Sequence, residues 1–94
     1  MTILRIEHAV PNFEGWKKAF ASDPIDRKKS GVKNYRIYRP ADDPNYVIVD
    51  LEFNNLNDAQ ETLLALRKLW DKVEGTVMIN PQTQIFDIVE SCEV

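Results

Sequence analysis

Residues 2–20 read TILRIEHAVPNFEGWKKAF, and a change of period inside this stretch decides the architecture. From Thr2 to Val10 the residues alternate. Leu4, Ile6, His8 and Val10 share one face, and Ile3, Arg5, Glu7 and Ala9 share the other. Period two is the pattern of a half-buried strand. Pro11 has no amide to donate and ends it. Asn12 is then placed to cap a helix, its side-chain oxygen accepting from a free amide of the first turn. Phe13, Trp16 and Phe20 follow at spacings of three and four, which puts three aromatic rings on one helix stripe. Gly15 weakens this helix by about 1 kcal/mol relative to Ala, and close packing against a neighbour is the expected compensation.

The pattern continues outward. SDPIDRKKSG (22–31) reads as a short helical turn capped by Asp23, with Pro24 at the first helical position. Lys28 and Lys29 suit the negative end of its dipole. Gly31 suits the left-handed residue that ends it. VKNYRIYR (32–39) and YVIVDLEF (46–53) are strands joined by the turn PADDPN, so an antiparallel hairpin is expected. Asn55 is a second cap. Leu56, Ala59, Leu63, Leu66, Trp70 and Val73 then recur by threes and fours, predicting a helix over about 56–73 that Gly75 closes. Residues 76–82 are expected to connect, and TQIFDIVE (83–90) to form the last strand.

The order is strand, helix, strand, strand, helix, strand. Each strand–helix–strand half is a crossover, expected to be right-handed and to set its two strands side by side and parallel. Interleaving the halves gives a four-stranded antiparallel sheet with both helices on one face. This is the α+β, ferredoxin-like βαββαβ arrangement. Residues 1–94 are expected to form one such domain. The strand face with Leu4, Ile6, Val10, Val47, Val49, Leu51 and Phe53 should meet the helices. The opposite face mixes Ile3, Tyr46 and Ile48 with charges of both signs, and a homodimer through this open face is expected.

Composition narrows the function. The net charge is −3 and the one basic run, Arg27-Lys28-Lys29, is short, which argues against nucleic acid. A single cysteine, Cys92, excludes an internal disulfide and a cysteine-rich metal site. There is no signal-peptide pattern and no apolar run near the ~20 residues of a membrane helix. The expectation is a cytoplasmic protein with no membrane partner. No glycine-rich loop supports nucleotide binding, and no carboxylate pair is poised for glycoside hydrolysis.

HAVPNFEGWKKAF, RKKSGVKNYRIYRPADDPNYVIVDLEF and NNLNDAQETL together resemble the small proteins of the dimeric α/β-barrel superfamily, over about residues 3–90. That superfamily includes antibiotic-biosynthesis-monooxygenase-type enzymes, haem-degrading enzymes, cyclase-like proteins and many members without a known activity. The resemblance implies a dimer whose two sheets form a barrel, and a pocket in each protomer between helices and sheet. It implies cofactor-independent oxygenation or cyclase-like proton transfer, with no cofactor. A non-enzymatic ligand-binding or assembly module is the alternative. The sequence departs from the haem-degrading pattern, which uses an Asn, a Trp and a His in the second half of the chain. Trp70 matches the Trp, but no histidine lies downstream of it.

The candidate site residues follow. His8, the only histidine, is either a proton donor or acceptor in the pocket or a buried strand residue satisfied by a neighbour. Phe13, Trp16, Phe20 and Trp70 are either core or the lining of a pocket for a small hydrophobic or aromatic molecule. Arg27 either belongs to a solvated face or holds an anionic group by paired hydrogen bonds. Of Tyr35, Tyr38 and Tyr46, the sequence does not say which hydroxyl reaches the cavity.

Overall fold

A computed structural model describes residues 1–73 and 78–94 of the chain. In chain order the elements are β1 (Thr2–Ala9), α1 (Phe13–Ala21), α2 (Arg27–Ser30), β2 (Val32–Tyr38), β3 (Tyr46–Phe53), α3 (Leu56–Val73) and β4 (Ile79–Asp87). The alternation of β1 is realised: Thr2, Leu4, Ile6 and His8 are buried, and the residues between them are half-buried. β3 follows the same rule, with Val47, Val49, Leu51 and Phe53 buried.

The sheet has four strands in the order β2-β3-β1-β4. β1 pairs antiparallel with β3, Leu4 opposite Leu51 and His8 opposite Val47. It also pairs antiparallel with β4. The two strands of each crossover are therefore not side by side, as expected from the halves alone. β3 lies between β1 and β2, and β1 lies between β3 and β4. Interleaving fills the gap in each half with a strand from the other. The apolar faces of β1 and β3 form the core with Trp16 of α1 and Ala59, Leu66 and Trp70 of α3.

Helix boundaries follow their caps. The Asn12 side chain accepts from Gly15 N at 2.9 Å, and Asn55 accepts from Asp58 N at 2.8 Å. α2 starts later than expected. Its cap is Asp26, not Asp23, and Pro24 lies in the turn before it. Asp23 and Asp26 both adopt positive φ, 56° and 51°, which bends the chain twice before a helix can begin. Asp23 still serves the helix, accepting from Arg27 N at 2.9 Å. Gly31 ends α2 at φ 96°. Gly15 is not a close-packing residue: a Cβ there would meet only Asn12, at 3.8 Å.

Two further expectations need correction. Leu56 is exposed rather than inward-facing, and Thr62 takes a buried place on that helix face. β4 begins at Ile79 and ends at Asp87, so Pro81 lies inside the strand and not in a connection. β4 is an edge strand, where a missing amide costs the ladder little. The expected stop at Gly75 and the inward side chain of Val73 lie outside the described residues. No helix among those described is long and apolar enough to cross a membrane.

Candidate functional site

A cavity of about 220 Å³ lies between the helices and the helix-facing side of the sheet. β1 supplies Ile6 and His8, α1 supplies Trp16 and Phe20, and α3 supplies Leu66 and Trp70. Arg27 closes one side from the start of α2. Of the six residues singled out in the sequence, five line this cavity. Phe13 does not. It packs on Trp16 at 5.9 Å between ring centroids, and the Arg39 guanidinium lies over its ring, 4.3 Å from its centroid.

His8 sits at the end of β1, 2% exposed, with its ring centroid 5.9 Å from that of Trp16. Its Nδ1 is 3.0 Å from the carbonyl oxygen of Ala9. A carbonyl only accepts, so Nδ1 carries the proton and donates, and in the neutral ring Nε2 is a free lone pair. Burial pushes the His8 pKa below its ordinary 6.5, outweighing the opposite pull of the Ala9 hydrogen bond. The ring is therefore neutral near pH 7.

The backbone opposite His8 is irregular. Glu7 pairs with Gln82 and Ala9 with Ile79, so β4 has one extra residue across from His8. This is a β-bulge, a device that re-aims side chains beside functional sites. Asn80 in the bulge takes φ 53°, and Pro81 has no amide to offer the interrupted ladder.

Arg27 is held from several directions. Its Nη1 donates to the Phe20 carbonyl at 2.7 Å, and its Nε is 3.4 Å from Asp23 Oδ1. The guanidinium carbon lies 4.1 Å from the Phe20 ring centroid and 5.0 Å from that of Tyr35. Phe20 in turn stacks on Trp16 at 5.3 Å. A continuous ladder runs His8–Trp16–Phe20–Arg27, so the aromatic stripe of α1 links the two polar groups of the cavity. Tyr35 is the tyrosine nearest this ladder, edge-on to Phe20 at 5.1 Å. Tyr46 belongs to the open sheet face, where its hydroxyl donates to Glu7 at 2.8 Å. Burial and that acidic neighbour raise the Tyr46 pKa.

Ser22, Pro24 and Ile25, on the wall from Ser22 to Ile25, and Met78 also line the cavity and were not singled out in the sequence as site residues. Ile25 was the available signal, a lone large apolar residue in a polar run. Among the described residues no group of three or more His, Cys, Asp or Glu side chains is placed to hold a metal ion.

No family profile and no curated protein matches the sequence. Solved structures do match. A protein from Deinococcus radiodurans, provisionally assigned as an antibiotic biosynthesis monooxygenase, superposes with a TM-score of 0.66 at 14% identity, over 100% of this chain and 98% of its own. The chain has the ferredoxin-like fold of those proteins. SnoaB from Streptomyces nogalater, a cofactor-independent oxygenase, matches at 0.73 and 10% identity over 96% and 94%. An MhuD variant with two manganese protoporphyrin IX molecules per active site matches at 0.68 and 16%, over 100% of both chains.

Proposed function

We propose that this protein binds a small hydrophobic or aromatic molecule in the cavity and uses His8 to move a proton, in cofactor-independent oxygenation or proton-transfer chemistry. The observation that carries the reading is the state of His8. A neutral imidazole with Nδ1 anchored on Ala9 keeps a free Nε2 lone pair, and the ring lines a nearly apolar cavity. In such a site a positioned base typically contributes 10²–10⁴-fold. Removing a proton from a hydroxyarene or a carbon acid leaves an electron-rich anion, which is itself the reductant when dioxygen is the oxidant. The likeness to a cofactor-independent oxygenase agrees with this chemistry at the level of fold.

Oxygen consumption and solvent-deuterium incorporation, measured over a panel of hydroxyarenes, test the proposal. His8→Gln should lower turnover about 100-fold or more while the aromatic still binds. Equal turnover by the variant and the parent would remove His8 from the reaction. A rival reading is a non-enzymatic ligand-binding or assembly module. The Ala9 hydrogen bond favours it, because it anchors His8 as a structural residue would be anchored. Ligand binding without turnover across the panel would select that rival.

The open sheet face supports a homodimer. Arg5 and Asp50 form a two-point ion pair there at 2.8 and 2.9 Å, and Arg5 also lies over Phe86 at 5.3 Å. Tyr38 stands exposed beside them. Paired charges beside an exposed tyrosine on one sheet face suit a self-complementary contact. Sedimentation at micromolar concentration should give twice the 10.9 kDa chain mass. A single species at the chain mass would count against the dimer.

A further inference from the structure

The cavity's size, and the two groups of strong polarity that line it among the described residues, narrow the ligand further than its hydrophobicity does. An apolar protein cavity of about 150 Å³ takes a benzene ring. Scaled on that case, a volume of about 220 Å³ suits two fused rings better than three.

Polarity sets the rest. Arg27 is the one charged side chain lining the cavity among the described residues, and Asp23, 3.4 Å from its Nε, is a partly exposed counter-charge on one side of it only. Nη1 donates to Phe20 O, and Nε lies 3.4 Å from Asp23 Oδ1, which leaves at most two of its N–H groups engaged. A guanidinium has five, so three remain to bind an anion. His8 offers the opposite character. Its Nδ1 proton is committed to Ala9, and Nε2 accepts. A hydroxyl donor satisfies it and a carboxylate does not. The two groups stand at opposite ends of the ladder, linked by successive centre-to-centre steps of 5.9 Å from His8 to Trp16, 5.3 Å from Trp16 to Phe20 and 4.1 Å from Phe20 to the Arg27 guanidinium. Donor and anion must therefore sit at different ends of the ligand.

We propose that the cavity selects a bicyclic aromatic acid, with a hydroxyl on one ring donating to His8 Nε2 and a carboxylate on the other held by Arg27. This rests on the reading of the cavity as a ligand site and adds the class of ligand.

Titration calorimetry of the intact protein with 6-hydroxy-2-naphthoate, 2-naphthoate, 2-naphthol and anthracene-2-carboxylate tests it. The hydroxynaphthoate should bind tightest, with a loss of roughly tenfold for removal of either polar group. The three-ring acid should bind more weakly than 2-naphthoate. Arg27→Gln should abolish the preference for hydroxynaphthoate over naphthol. His8→Phe should abolish the preference for hydroxynaphthoate over naphthoate. Naphthol binding as tightly as the hydroxynaphthoate, or the three-ring acid binding more tightly than 2-naphthoate, would overturn the assignment while leaving the ligand site standing. Binding of none of the four would remove both. The ligand series on the parent protein decides the matter even if a variant fails to fold.

Discussion

His8 Nδ1 lies 3.0 Å from the carbonyl oxygen of Ala9, the next residue along β1. The contact fixes which nitrogen carries the proton, and so gives the ring a direction. It also ties the ring to the strand end, where Trp16 covers it.

Stability should follow the titration of this ring. Burial lowers its pKa below the 6.5 of an unfolded chain. Between the lowered value and 6.5 the unfolded state binds the extra proton and the native state does not. Stability is therefore undiminished above pH 6.5 and falls as pH drops through this window, levelling once the native ring is also protonated. His8→Phe removes the group and should remove this part of the slope. Urea midpoints of both proteins between pH 7.5 and 4.5 measure it. Parallel curves would show that His8 titrates alike in both states.

Arg27→Lys should loosen the wall from Ser22 to Ile25. A lysine loses the planar stack on Phe20 and Tyr35, and it replaces a fixed fork by a single mobile head. The Asp23 contact is partly solvent-exposed and screened, so the expected loss is modest, about 1 kcal/mol by urea denaturation. Faster amide exchange confined to residues 22–27 is the sharper readout. Unchanged exchange there would show that the wall does not depend on Arg27.

The two glycines flanking this wall should respond with opposite signs. At Gly15 the backbone is helical and an added Cβ meets only Asn12, at 3.8 Å. Gly15→Ala should therefore stabilise the protein by about 0.4–1 kcal/mol, chiefly by restricting the unfolded chain. Gly31 has φ 96°, and a Cβ there would lie 2.8 Å from Asp58 Oδ2. That carboxylate is a movable side-chain end, so the backbone strain is the larger cost. Gly31→Ala should destabilise by roughly 1–3 kcal/mol. Thermal melts of the two variants give the comparison.

Period-two and period-three-to-four patterns carried most of this structure in the sequence. β1 and β3 alternate in every residue, and the Asn12 and Asn55 caps lie where the patterns change, because side-chain period is a local property. Strand order was harder to read. A crossover has a local direction, but its neighbour in the sheet is chosen by the whole chain. The start of α2 is not legible, because Asp23-Pro24 is a good helix opening by composition and the sequence carries no sign of two aspartates at positive φ. The start of β4 is hidden by Pro81, since a proline inside a strand is legible only once the strand is known to be an edge. The cavity was legible where helical spacing gathers rings, at Trp16, Phe20 and Trp70. It was not legible at Met78, and at Ile25 only as a lone apolar residue in a polar run, since both reach it from outside any repeat. Phe13 shares the stripe of Trp16, yet its ring stays outside the lining. Spacing assigns a face, and depth along that face is set by packing.

The bulge opposite His8 provides the last prediction. Asn80 holds φ 53°, where a side chain other than Asn, Asp or Gly costs about 1–2 kcal/mol. Asn80→Gly should be close to neutral, and Asn80→Ala should destabilise by about 1 kcal/mol. Asn80→Val, branched at Cβ, should cost more and push the strand to lose its extra residue. That change would restore a regular register of β4 against β1 from Glu7 to Ala9 and shift the ring that the bulge now faces. Nitrogen chemical shifts of the His8 imidazole report it directly. In the parent, one nitrogen should resonate as a proton-bearing Nδ1 and the other as an unprotonated Nε2. If the bulge aims the ring, Asn80→Val should mix the two tautomers while Asn80→Gly keeps one. A single tautomer in all three proteins would mean that Ala9 alone orients His8.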